Sequence, residues 1–211
     1  MNYLKRMFLY ACLCFITSCG IRNIQGTVGN TNTSDAENLK VLCYNIHHAN
    51  PPSKPGIIDL DAIAGVIKQY SPDVVALQEV DVNTIRSGKT SNQAADLAKL
   101  ARMPYYYFAK AIDYQEGEYG VAILSRYPME DMKNTPLPTE EETKGERRTL
   151  ATAVIRLPSG KRFVFASTHL DAQRADTNRY LQINKIVEVL QKEKLPVVIA
   201  GDFNAQPNTR I

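Results

Sequence analysis

What this 211-residue sequence has little of narrows its reading first. Histidine occurs only at His47, His48 and His169, and none of these has the spacing of a zinc motif. Cysteine occurs four times, but Cys12, Cys14 and Cys19 crowd into the N-terminal stretch. Cys43 then stands alone in the globular sequence, which excludes an internal disulfide. Placed mid-strand, it reads as a small buried hydrophobe. A surplus of one charge is missing: 25 basic residues face 22 acidic ones, which leaves no electrostatic footprint for bulk nucleic-acid binding. The apolar run Met7 to Ile16 is too short to span a bilayer permanently. No Gly-rich nucleotide loop and no Gly-x-Ser-x-Gly elbow occur, so kinase and serine-hydrolase chemistry have no motif behind them.

What is present begins with an address. Lys5-Arg6 precede the apolar run and Thr17-Ser18-Cys19 follow it, the order of a secretory signal. Ile16-Thr17-Ser18-Cys19 resembles a bacterial lipobox. The expectation is a signal peptide over 1–18, lipidation at Cys19, a flexible Asn/Thr/Gly-rich tether over 19–38, and an extracytoplasmic, membrane-anchored domain over 39–211. Removing the signal takes away Lys5 and Arg6 and no acid, for a net charge of +1.

Within the domain the pattern alternates. Leu39 to Ile46 reads as a strand, Asp59 to Tyr70 as a helix capped by Asp59, and Asp73 to Gln78 as a second strand. Such a crossover makes the two strands parallel, with their carboxyl ends at one edge. Ser91 to Ala101 reads as a second helix. Tyr105 to Ala111, Tyr119 to Ser125, Met129 to Thr135 and Arg148 to Leu157 read as an antiparallel middle. The opening arrangement then recurs: strand Lys161 to Thr168, helix Asp176 to Lys194 with Tyr180, Ile183, Val187 and Leu190 on one face, and a fully buried strand Leu195 to Ala200. Two mixed sheets face to face with helices outside would bury these strands.

Polar residues gather at the ends of the four parallel strands: Tyr44-Asn45-Ile46-His47, Leu77-Gln78-Glu79-Val80, Ser167-Thr168-His169-Leu170-Asp171 and Gly201-Asp202-Phe203-Asn204. Read singly, Asn45 caps a turn, Glu79 is solvated, His169 is a bonded core histidine, and Asp202 with Asn204 forms an Asx-turn. Read together, they converge on one cleft, as ligand sites do at carboxyl strand edges. Oxygen ligands favour Mg²⁺, or Mn²⁺, over Zn²⁺. Glu79 suits such a cation, Asp202 suits an attacking water, and Asn45, Asn204 and His169 suit developing negative charge.

The segments "CYNIH", "ALQEV", "YGVAILSR", "ASTHLD" and "IAGDFNAQP" resemble, in order, the motifs of the endonuclease/exonuclease/phosphatase superfamily, over Leu39 to Pro207. The resemblance implies a deoxyribonuclease I-like four-layer α/β/β/α sandwich and a Mg²⁺-dependent phosphoester hydrolase acting on phosphodiesters more than monoesters. It implies Glu79 as metal ligand and Asn45 as metal or phosphate contact. His169, Asp202 and Asn204 would be catalytic, and Arg148 would meet the substrate phosphate, with Arg147 the competing candidate. Tyr119, ahead of Gly120-Val121-Ala122, is carried over as a further phosphate contact.

That family's pattern continues past "GDFNAQP" to a Ser-Asp-His motif, which has no counterpart up to Ile211. The expectation is therefore an incomplete second sheet and a chain that is inactive alone. The second reading is a truncated, non-catalytic phosphate-binding module. The substrate is left open between nucleic acid, phospholipid head group and inositol phosphate, and the expected state is a monomer.

Overall fold

The computed structural model describes residues 38–206; the signal, the lipidation at Cys19 and the tether as far as residue 37 lie outside them. The described elements are β1 (Val41–Asn45), α1 (Leu60–Tyr70), β2 (Val74–Val82), α2 (Gln93–Leu100), β3 (Tyr105–Tyr114), β4 (Gly117–Ser125), β5 (Met129–Leu137), β6 (Arg148–Arg156), β7 (Arg162–His169), α3 (Thr177–Leu190) and β8 (Val197–Asp202). Every expected strand and helix is present, with shifts of a few residues at the ends.

Two four-stranded sheets form, in the orders β1-β2-β4-β3 and β5-β6-β7-β8. β1 with β2 and β7 with β8 are parallel, and the other neighbours are antiparallel. The alternation of side chains along β2 explains the layering. Val75, Leu77 and Val80 pack outward against Ile63, Ile67, Leu97 and Ala98 of α1 and α2. Val74 and Ala76 point the other way and meet Ala151, Ile155 and Phe165 of the second sheet. The far face of that sheet buries Leu150 and Ala166 under Ile186 of α3. The result is the four-layer α/β/β/α sandwich. No described helix is long and apolar enough to cross a membrane.

The caps follow the sequence. Asp59 accepts from the Ala62 amide at 2.9 Å and Asn92 from Ala95 at 3.1 Å, satisfying donors that a helix start leaves open.

Three local expectations need correction. Cys43 is exposed, not buried, because β1 is the edge of its sheet. β8 is only half-buried, with Val197 37% exposed, because it has a paired neighbour on one side only among the described residues. The face of α3 is also rotated. Tyr180 and Val187 are exposed, and the buried positions include Asn178, Arg179 and Gln182 beside Ile186.

Those buried polar groups fasten loops. The Asp171 amide donates to Gln182 Oε1 at 2.9 Å, and Arg179 Nη1 donates to the Asp171 carbonyl at 2.9 Å. The Glu140 amide donates to Asn178 Oδ1 at 3.0 Å. The helix therefore holds both the segment after His169 and the loop that leads to Arg148. Periodicity alone cannot reveal a face whose role is hydrogen bonding rather than apolar burial.

Candidate functional site

The parallel pairing sets the site. Asn45 ends β1 and Asp202 ends β8, and these two edge strands lie against one another across the sandwich. His169 ends β7 directly opposite Asp202 in the parallel register. Gly201 permits the close approach of these strands, since a Cβ there would run into the Thr168 carbonyl oxygen.

Glu79 reaches the cleft by a different device. In β2, Gln78 pairs with Val121 and Val80 with Gly120, so Glu79 is an extra residue between consecutive ladder positions, at φ +58°. Bulges of this kind re-aim a side chain. The break is visible in the sequence once the faces are known: Val80 shares the outward face of Val75 and Leu77, which strict alternation without an insertion forbids.

A continuous chain of contacts results. Asn45 Nδ2 donates to Glu79 Oε1 at 2.8 Å and to Asp202 Oδ2 at 3.1 Å. Asp202 Oδ2 lies 3.8 Å from His169 Nε2. The Asn204 amide side chain lies 3.0 Å from the same nitrogen and donates to the Leu170 carbonyl at 2.9 Å. The Asn204 backbone amide donates to Asp202 Oδ1 at 3.0 Å, so the Asx-turn and the convergent cluster are both present. Arg148 Nη1 lies 3.2 Å from His169 Nδ1 and 2.9 Å from Glu146 Oε1.

All the expected polar groups thus share one cleft. Arg148 is 7% exposed, and its Nε is buried with no hydrogen-bond partner among the described residues. Arg147 is exposed. A guanidinium beside the cleft with an unused donor is suited to an anion. Tyr119 is buried next to Glu79 and Arg148; burial first, then the Glu79 charge, pushes its hydroxyl above the ordinary tyrosine range. It stays a neutral donor.

Burial, reinforced by the Arg148 charge, lowers His169 to about 4. Donors face both ring nitrogens, Arg148 Nη1 at Nδ1 and Asn204 Nδ2 at Nε2, and neither partner can accept a ring proton. The Glu79 and Asp202 carboxylates both accept from Asn45 Nδ2, and carboxylate oxygens such as these suit a hard divalent cation. Glu79 would hold it; the Asn45 side-chain oxygen accepts from the His47 amide, and its nitrogen faces the two carboxylates.

Sequence reading missed several neighbours. A cavity of about 120 Å³ adjoins Glu79, lined by His47, His48, Arg86, Tyr119 and Glu146 among others. Arg86 is fixed there by Asp81, through Nε at 2.7 Å and Nη2 at 2.8 Å. Its guanidinium carbon lies 4.4 Å from the centre of the Tyr114 ring and 5.6 Å from that of Tyr119. Asp81 also accepts from Thr84 and Ser87. Burial alone would raise its carboxyl; the bonds from Arg86, Ser87 and Thr84 outweigh that and hold it below the usual range. The signal was a short "DVNTIRS" run after Glu79, whose mutual contacts only a folded loop reveals. A larger concavity of about 520 Å³ beside α2 is lined by Lys99, Arg102, Met103 and Tyr106 and by no acid.

The sequence pattern described as "Endonuclease/Exonuclease/phosphatase family" matches residues 42–210. The uncharacterized protein YbhP of Escherichia coli K12 is 29% identical over 174 residues, covering 79% of this chain and 66% of that protein. Human Nocturnin is 26% identical over 164 residues, 69% of this chain and 35% of that one. The crystal structure of an endonuclease/exonuclease/phosphatase from Beutenbergia cavernae superposes with a TM-score of 0.68 at 28% identity, covering 82% of this chain and 50% of that chain. The chain thus spans less than two thirds of the length of these relatives.

Proposed function

Because this chain belongs to the endonuclease/exonuclease/phosphatase family, we propose that it hydrolyses a phosphoester, a phosphodiester in preference to a monoester, by direct attack of water. The observation that carries the reading is the Asn45 amide held between the Glu79 and Asp202 carboxylates, at 2.8 and 3.1 Å. Residues 34 and 157 positions apart in the sequence meet there beside a buried arginine.

Each group has a task its chemistry allows. Asp202, with a side chain 34% exposed, takes a proton from the water whose oxygen forms the new bond to phosphorus. His169, at the end of β7 beside Asp202, binds the scissile phosphate where negative charge grows. It does so as a neutral ring, since its lowered pKa keeps the imidazolium out of the neutral range. Arg148 supplies the permanent positive charge on the same side. Asn204 fixes the loop through its bonds to Leu170 and Asp202. The phosphorus–oxygen ester bond breaks, and the leaving oxygen departs with the second substrate half. A divalent cation, Mg²⁺ or Mn²⁺, bound at Glu79 would supply Lewis-acid polarisation of the phosphoryl group.

The proposal includes a bacterial cell-envelope location through a lipid on Cys19, supported by the Ile16-Thr17-Ser18-Cys19 sequence after the apolar run. Loss of a lipid mass increment and of membrane fractionation in Cys19→Ala is the expected outcome.

The enzyme is tested on a panel: a chromogenic bis-phosphodiester, duplex DNA, RNA, sphingomyelin and inositol phosphates, with Mg²⁺ or Mn²⁺. Turnover of a phosphodiester that disappears in Asp202→Asn is expected. Phosphate binding without turnover on any member would instead favour a binding module.

A further inference from the structure

We infer that His47, His48 and Glu79 form a second cation site, of nitrogen and oxygen donors, that takes a divalent transition metal of the Zn²⁺, Co²⁺ or Mn²⁺ type. Glu79 is shared with the hydrolytic centre proposed above, but the inference rests on the local geometry and does not require hydrolysis.

The first observation is convergence. One ligand atom from each of His47, His48 and Glu79 falls within 4.8 Å of the others, and the two imidazole centres are 4.3 Å apart. Consecutive residues of an extended strand point to opposite faces, so two adjacent histidines do not ordinarily share a pocket. Here the backbone leaves β1 and makes a turn in which His47, His48 and Ala49 all have positive φ, at 46°, 46° and 60°. For side chains with a Cβ that conformation costs about 1–2 kcal/mol per residue. The turn brings both rings beside Glu79, and it is secured at both ends: the His47 amide donates to Asn45 Oδ1 at 3.0 Å, and Gln93 Nε2 donates to the His48 carbonyl at 2.8 Å.

The second observation concerns ring protons. His47 Nδ1 lies 3.2 Å from the Asn50 carbonyl oxygen, which only accepts, so Nδ1 carries the hydrogen and Nε2 offers its lone pair. A ligating histidine commonly has its other nitrogen bonded to a carbonyl in this way. His48 Nδ1 is buried and has no hydrogen-bond partner among the described residues. Each ring therefore has an uncommitted nitrogen, and one ring nitrogen of each lies within 4.8 Å of a Glu79 carboxylate oxygen. Two imidazoles and a carboxylate, with open positions left over, select first-row transition metals. Mg²⁺ prefers oxygen donors and suits the opposite side of Glu79, towards Asn45 and Asp202.

The role this gives Glu79 is a bridge between two cations of different preference. His47 is the exposed member and can rotate to close the ligand set.

The test titrates the purified chain with Co²⁺ in excess Mg²⁺, following visible absorption. The expected result is a saturable band of imidazole-coordinated Co²⁺. His47→Ala and His48→Gln should each weaken that binding at least about tenfold, the loss seen even for supporting residues of metal sites. His47→Ala changes an exposed side chain, so the result does not depend on tolerance at the more enclosed His48. Asp202→Asn should lower phosphodiester turnover by about 10²–10⁴-fold and leave the Co²⁺ band in place. Absence of the band, or an unchanged isotherm in both histidine variants, overturns the inference. A wild-type chain that binds Co²⁺ through the histidines upholds it whether or not a phosphoester is turned over, so the two readings fail separately.

Discussion

Arg148 Nη1 lies 3.2 Å from Nδ1 of His169, and this contact sets the behaviour of the histidine. Burial opposes a charge on the ring most strongly, and the permanent cation against one ring nitrogen opposes it further. The imidazole is thereby lowered from 6.5 to about 4.

The first prediction is a pH-dependent stability. Between about pH 6.5 and 4 the unfolded chain binds a proton at His169 that the folded chain refuses. Stability from this site is full above 6.5, declines as pH falls, and is gone below about 4. Denaturant melts at pH 7.5 and 5 should show a loss at acid pH that is smaller in His169→Gln. Equal losses in both proteins would remove the histidine from the explanation.

The second concerns Asp202. Asn in its place keeps the acceptor for the Asn204 amide but cannot take a proton from water. Turnover should drop by about 10²–10⁴-fold, the usual worth of a positioned base, with an unchanged circular dichroism spectrum and melting point.

The third concerns Gly201. Alanine there forces β7 and β8 apart, because its Cβ meets both the Thr168 carbonyl oxygen and, at 2.9 Å, Thr168 Cγ2. A stability loss of about 1–3 kcal/mol is expected, as for overpacking elsewhere, read as a lower urea midpoint. Turnover should fall too, since Asp202 moves with the strand.

The fourth concerns Asp81→Asn. The buried carboxylate neutralises Arg86, and its loss strands that guanidinium under Tyr114 and Tyr119. Breaking a buried pair costs about 3–5 kcal/mol; Arg86 keeps a side chain 26% exposed, so about 3 kcal/mol or less is expected from chemical denaturation.

Much of this could be read from the sequence, for a physical reason. Parallel crossovers put strand ends side by side, so the polar residues closing β1, β2, β7 and β8 had to gather once those strands were recognised. Asn45, His169, Asp202 and Asn204 are each within a residue or two of such an end, whereas β2 runs on to Val82 and Glu79 reaches the cleft from a bulge within it. What escaped depends on contacts without a period. The polar face of α3 serves Asp171 and Glu140 rather than the core. The exposure of Cys43 and Val197 depends on which strands have neighbours, which local pattern does not encode. The left-handed turn at His47 and His48 uses residues that do not announce positive φ, and Arg86 was hidden in an ordinary loop.

The bulge at Glu79 has one more implication. Its flanking residues, Gln78 and Val80, already pair with consecutive partners on β4. A chain lacking position 79 would therefore close an uninterrupted ladder and keep Val80 packed outward. The proposed chemistry hangs on a single surplus amino acid that the sheet does not need. The shortest route to a sturdier but inert relative of this domain is a three-nucleotide deletion.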